Sequence, residues 1–249
     1  MSYRYTVSLI TPVIGGMKLQ ALQPDDVERM MDRLKDDGRA ARTVTYARSI
    51  LAIALSSKIA KKIVPRNVAS RESMGMTKKK KTDPDIKVLN AGEVTKILAK
   101  IVNPTDRLLI RTIASFGLRI GESLGLRWSD IDFDARSMHI TQAAQRQPSG
   151  SGKGVTLVDV KTKNSRRTLL IPDRLLAELK AHRVTLLEHR MKTGDRWADN
   201  DLVFPSSVGT PQDSRNVLRV LHRAQKAAKV ARSSLHRLRH SAATYMLSQ

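Results

Sequence analysis

Three separated stretches each set a cation beside turn-forming residues. In "FGLRIGESLGLRWSDID" (116–132), Gly117 and Gly121 bracket Arg119 between one helix and a short following one. Glycine there lets a backbone and a ligand approach closely. In "DVKTKNSRRT" (159–168), Lys161 ends a strand-like run as it enters a hairpin, where lysine can serve as a mobile proton donor. In "LHRLRHSAATYML" (235–247), His236 and Arg239 stand at i, i+3, so both emerge on one helix face and can grip a phosphate. Taken alone, each stretch also fits an ordinary surface cation. His240 completes an H-x-x-x-H pair with His236. The chain has no H-E-x-x-H pattern and no cysteine, so no metal site is expected.

The charge balance gives these cations a partner. The 249 residues hold 45 Lys+Arg against 23 Asp+Glu, a formal charge of +22. Residues 1–85 carry 17 basic and 9 acidic side chains, and residues 86–249 carry 28 and 14. Both halves are basic, as expected of a protein lying along a polyanion over most of its length, with nucleic acid favoured over a merely solubilising surface. A hydrophobic fraction of 41% supports a real core. The absence of cysteine excludes disulfides and thiolate metal sites. The longest apolar run, "ILAIAL" (50–55), is too short to span a bilayer, and "MSYRYTVSLI" has no secretory pattern. The expectation is a cytoplasmic, DNA-associated protein with no membrane partner.

Composition divides the chain into a helical domain over 1–73, a basic linker over 74–88 and a larger domain over 89–249. The linker holds Lys78, Lys79, Lys80 and Lys81 with Gly and Pro nearby. It reads as a solvated loop, an import signal or a strap on DNA phosphates, the last fitting the remaining features best. Before it, "QPDDVERMMDRLKDDG" has Pro and acids at a helix start and Gly38 at its end. From Arg42 to Val64, Val44, Ala47, Leu51, Leu55, Ile59 and Ile63 form an apolar stripe. Arg42, Thr45, Arg48, Lys58 and Lys62 are assigned to the opposite face as DNA contacts. After the linker, Asn90 caps one predicted helix and Pro104 opens another. Strand-like runs follow at 136–141, 155–160 and 166–172, and then further helices. The predicted fold is mainly α with a small antiparallel, three-stranded sheet, an α+β arrangement.

"GLRIGESLGLRWSDID", "VKTKNSRRTLLIP" and "LHRLRHSAATYML", in that order, resemble the motifs of the tyrosine recombinase, or phage integrase, family. "ARTVTYARSILAIALSSKIAKKIVPRNVAS" resembles the helical core-binding domain that precedes its catalytic domain. The resemblance implies that Arg119 and Arg239 hold the non-bridging oxygens of the scissile phosphate. Lys161, preferred to Lys163 because it precedes the small residue of the hairpin, would protonate the departing 5′-oxygen. His236 would support the phosphate, Glu122 would be the acidic residue behind Arg119, and His240 would be catalytic or structural. Lys163 and Arg166 would be DNA contacts. The reaction implied is site-specific recombination through a 3′-phosphotyrosyl link, without cofactor or metal, by four protomers on paired sites.

The nucleophilic tyrosine of the family lies roughly thirty or more residues beyond the second arginine, and here ten follow Arg239. Tyr245 stands nine residues after His236, near the opposite side of a helix, on a stripe with Leu238 and Ala242. Tyr3, Tyr5 and Tyr46 belong to the N-terminal half. The expectation is that the sequence carries the phosphate-activating residues and stops before the nucleophile, and that it also enters midway into the first helix of its N-terminal domain. A non-catalytic relative that occupies recombination sites is the alternative, and a type IB topoisomerase a third.

Overall fold

The computed structural model describes residues 3–76, 89–147, 154–160 and 166–242. The chain divides into two units, Met1–Asp83 and Pro84–Gln249. In the first, α1 (Tyr3–Ile14), α2 (Pro24–Asp36) and α3 (Ala41–Ala60) close around Ile10, Val27, Met30, Leu34, Val44, Ala47 and Leu55. Pro24 opens α2, where the Gln23 N–H donates to the Asp26 carboxylate at 2.9 Å, and Gly38 follows at φ 72°.

The α3 expectation needs three corrections. The helix ends at Ala60, and Lys62 lies beyond it in the left-handed region at φ 54°, so Lys62 shares no helix face with Arg42. Ile59 and Ile63, expected in the core, are 36% and 39% exposed. Arg48 is buried at 4% exposure, where its Nη1 donates to the Ala69 carbonyl at 2.6 Å. Position 48 stands four after Val44 and therefore on the same face. Its charge had suggested the polar side, but the helical angle wins, because a backbone carbonyl meets the guanidinium inside. Arg42 and Thr45 are exposed and Lys58 is half-buried. Lys78–Lys81 lie outside the described residues.

The second unit runs α4 (Ala91–Ala99), α5 (Pro104–Phe116), α6 (Ile120–Leu124), β1 (Ile131–Asp132), β2 (Ser137–Ile140), β3 (Gln142–Arg146), β4 (Val155–Asp159), β5 (Arg167–Leu170), α7 (Asp173–Thr193), α8 (Ser214–Ala227) and α9 (Leu235–His240). It is mainly helical with small antiparallel sheets, the α+β class expected. Asn90 and Asn103 cap α4 and α5 by accepting from the Glu93 and Asp106 N–H groups at 2.9 and 3.0 Å. Leu109, Ile110, Ile113, Met138, Ile140, Leu179, Phe204, Leu221 and Leu238 fill the core between the helices and β2.

A three-stranded sheet is present, with a different membership from the one expected. Its order is β1-β2-β5, with Ile131 opposite Met138 and Ile140 opposite Arg167. The 155–159 strand pairs instead with β3 in a separate two-stranded ribbon, Gln142 opposite Asp159 and Arg146 opposite Val155. The β3 segment, "QAAQR", lacks β-branched and aromatic residues, so composition gave no strand signal there.

Two glycines set α6 against that ribbon. A Cβ on Gly121 would stand 2.8 Å from the Ala144 carbonyl oxygen, and one on Gly125 would stand 2.7 Å from the Ala143 Cα. The close approach that glycine permits here is helix to strand. Gly125→Ala is expected to lower stability by about 1–3 kcal/mol, read from a shifted urea midpoint, because strand backbone cannot give way as a side chain can.

His182 of α7 is buried at 8% exposure, with Nε2 2.7 Å from the Val203 carbonyl and its ring 5.5 Å from that of Phe204. Burial lowers its pKa below 6.5, opposed by the Val203 hydrogen bond. A lowered folded-state value means that the unfolded chain binds the proton more readily. The stabilising contribution is full above 6.5 and declines as pH falls below it. The urea midpoint should therefore drop between pH 7 and 5, and drop less in His182→Gln.

Candidate active site

The start of α6 is built around Glu122. Arg119 is the residue before the helix, and Glu122 occupies its third position, 2% exposed. The Glu122 carboxylate accepts from the Arg119 backbone N–H at 3.0 Å and from Arg119 Nη1 at 2.8 Å. The same carboxylate accepts from Arg167 Nη2 at 2.8 Å. One buried acid therefore ties the start of α6 to β5. Burial pushes the Glu122 carboxyl up, but the Arg167 bond and the two Arg119 bonds outweigh it, so its pKa lies below the usual value.

Arg239 comes from α9, whose placement is fixed from both ends. Ser234 caps the helix by accepting from the Arg237 N–H, and Gln225 of α8 braces Ser233 with bonds of 2.6 and 3.2 Å. Leu235 and Leu238 enter the core, and the buried Ser241 hydroxyl accepts from the Leu89 N–H at 2.9 Å. Gly117, left-handed at φ 59°, ends α5 directly beneath: a Cβ there would stand 3.3 Å from the Arg239 carbonyl and 3.6 Å from its Cγ. The two motifs thus meet through a glycine favoured by its left-handed backbone, where a side chain would press closely on Arg239.

Arg239 has its Nη1 buried with no hydrogen-bond partner among the described residues. Burial lowers its pKa, Arg119 and Arg167 repel its charge, and Glu122 opposes them. Three guanidinium groups therefore surround one carboxylate, leaving surplus positive charge with an unfilled donor. A tetrahedral oxyanion carrying two non-bridging oxygens, such as a phosphodiester, has the charge and acceptors to satisfy it.

His236 and His240 are exposed on α9, their Nε2 atoms 3.0 Å apart and their rings edge to face at 4.5 Å. One nitrogen must donate and the other accept, so the two rings share a single hydrogen. No group of three or more metal-ligating side chains occurs among the described residues. Arg166 is exposed. Lys161, Lys163 and Tyr245 lie outside the described residues.

Arg167 was not among the residues singled out from sequence. Its signal lay in the two-residue period of "RTLL", which turns Arg167 to the same side as Leu169, a residue packed on the core. Arg166, one position away, takes the other direction.

The sequence model of the phage integrase family matches residues 87–249. A "Tyrosine recombinase XerC-like" protein of Caldanaerobacter subterraneus subsp. tengcongensis is 25% identical over 244 residues, 94% of this chain and 62% of that protein. An "Integrase" of Streptomyces ambofaciens is 31% identical over 232 residues, 88% of this chain and 55% of its own length. The chain thus spans less than two thirds of these relatives. Among solved structures, the Tn1549 transposon integrase in complex with transposon right end DNA is similar in fold, with a TM-score of 0.77 at 16% identity, covering 98% of this chain and 79% of that one. A lambda integrase tetramer bound to a Holliday junction matches at 0.59 and 21% identity, over 100% and 68% of the two chains. With all three cationic motifs inside the matched region and an N-terminal half shared with these relatives, this chain belongs to the phage integrase family.

Proposed function

We propose that this chain supplies the phosphate-activating side of a DNA strand-cleaving and rejoining recombinase. The observation that carries the reading is the Arg239 Nη1, buried without a partner among the described residues, beside Arg119 and Glu122. In the proposed reaction Arg119 and Arg239 each neutralise a non-bridging oxygen of one phosphodiester. A tyrosine hydroxyl oxygen forms a bond to phosphorus, and the bond from phosphorus to the 5′-oxygen breaks. The phenol proton leaves to solvent or a nearby base, and the 5′-oxygen takes its proton from Lys161. His236, paired with His240, donates to the phosphate. Reversal by another strand's 5′-hydroxyl rejoins the DNA, so no external energy source enters. Tyr245 is not proposed as the attacking tyrosine, because in the sequence it shares a stripe with Leu238 and Ala242, both of which are buried.

The relatives support DNA as the partner, since the Tn1549 and lambda integrases were solved on DNA. A tetramer on paired sites is proposed by extension from the lambda assembly. Arg42, Thr45, Lys58, Lys78–Lys81, Lys163 and Arg166 are proposed to meet DNA phosphates, with a domain boundary in the 74–88 linker. No described helix is long and apolar enough to cross a membrane.

The test is a nicked duplex bearing a site selected from random DNA, incubated with the natural protein that contains this chain. A protein–DNA adduct surviving denaturation is expected, with unchanged yield in Tyr245→Phe. Salt-sensitive binding without any adduct would contradict the reading and favour a site-occupying, non-catalytic role.

A further inference from the structure

The Glu122 carboxylate is divided between two arginines. Its Oε1 accepts from Arg119 Nη1 at 2.8 Å and Arg167 Nη1 at 3.5 Å; its Oε2 accepts from the Arg119 backbone N–H at 3.0 Å and Arg167 Nη2 at 2.8 Å. A carboxylate offers about four acceptor directions, and here each arginine takes two. Arg167 lies fork-on across both oxygens, whereas Arg119 reaches the group through one Nη and its own backbone. The exposures follow: the Arg167 side chain is 27% exposed and that of Arg119 is 59%.

This division has a positional consequence. Without Arg167, the Arg119 fork could turn onto both oxygens and form the bidentate pair that guanidinium and carboxylate prefer. With Arg167 seated across the carboxylate, Arg119 is held at one nitrogen and keeps its Nε and Nη2 free of bonds within the described residues. Arg167 is itself placed by β5, where it stands opposite Ile140 of β2. The sheet therefore controls where an arginine at the start of α6 can point.

We propose that Arg167 is a positioning residue for strand cleavage: by filling half of Glu122 it holds Arg119 extended towards the DNA phosphate. This role rests on the strand-cleaving reading of the site. Among the described residues, three charged groups face Glu122: Arg119 from its own helix start, Arg167 from β5 and Arg239 from α9.

The test uses single-turnover cleavage of saturating nicked duplex by the natural protein. Arg167→Ala is expected to cleave roughly 100-fold more slowly, the scale of a misplaced reacting group, with DNA affinity changed less than about threefold. Arg167→Lys should recover only part of the loss, since an ammonium lacks the fork. In a Glu122→Ala background the Arg167 change should add almost nothing. A carboxylate titration of Glu122 by carbon-13 NMR should move to higher pH in Arg167→Ala, because burial is then opposed by fewer bonds. Wild-type cleavage by Arg167→Ala, or a full additive loss in the Glu122→Ala background, would overturn the positioning role alone. A wild-type protein that forms no adduct would overturn the strand-cleaving reading instead, and the two failures are thereby separated.

Discussion

Replacing Arg239 with alanine is expected to slow covalent adduct formation by about 1000-fold, the upper end for loss of one donor to a developing oxyanion. The same change should leave the folded state no less stable, and slightly more so. Its Nη1 is buried without a partner among the described residues, and its charge is opposed by burial and by Arg119 and Arg167. Removing a cation in that setting relieves a cost that only a bound phosphate otherwise offsets. Activity and thermal midpoint should therefore move in opposite directions, as at a site kept strained for function. Arg239→Lys keeps the charge and loses the fork, so it should remain impaired by at least tenfold.

Glu122→Ala is expected to fail in both respects. The side chain is 3% exposed and bonds two guanidinium groups and a backbone N–H, so its removal takes a carboxylate from Arg167 and uncaps α6. The loss should be about 2–3 kcal/mol, below the range for a fully buried pair because both arginines reach solvent. Cleavage should fall as well, since Arg119 loses its anchor. Glu122→Gln retains the cap and separates the effects: it should be milder in stability and still slow in cleavage. The carboxyl is held below its ordinary 4.5, so its contribution is present above that pH and fades as pH falls through the lower folded value. The wild-type advantage over Glu122→Gln in urea should shrink on that acidification.

Several parts of this molecule are written locally in the sequence. Asn90, Asn103 and Pro104 mark helix starts because a short side-chain oxygen, or a missing N–H, fits the first turn wherever it occurs. Gly117 could be picked out for the same reason, although its second duty, admitting Arg239, depends on a contact 122 residues distant in the chain. The Arg119–Arg239 proximity was legible only through family resemblance, since no periodicity links those two segments. Pairing was harder still. Composition gave β4 its strand character, but nothing in "QAAQR" marked the partner that α6 presses against β4. Arg48 and Arg167 show a common error of a different kind. Arg48 was judged by its charge and Arg167 was passed over, while helical angle for one and strand alternation for the other turned them inward to acceptors that only the folded chain supplies.

The guanidinium groups are proposed to act by neutralising charge on the non-bridging oxygens of a DNA phosphate. A duplex with a methylphosphonate at the scissile position has one of those oxygens replaced by a neutral methyl group. If they act in this way, Arg239→Ala should cleave this substrate at least tenfold faster than it cleaves the ordinary diester. Equal or slower cleavage of the methylphosphonate by Arg239→Ala, with the wild-type protein active on the diester, would contradict it.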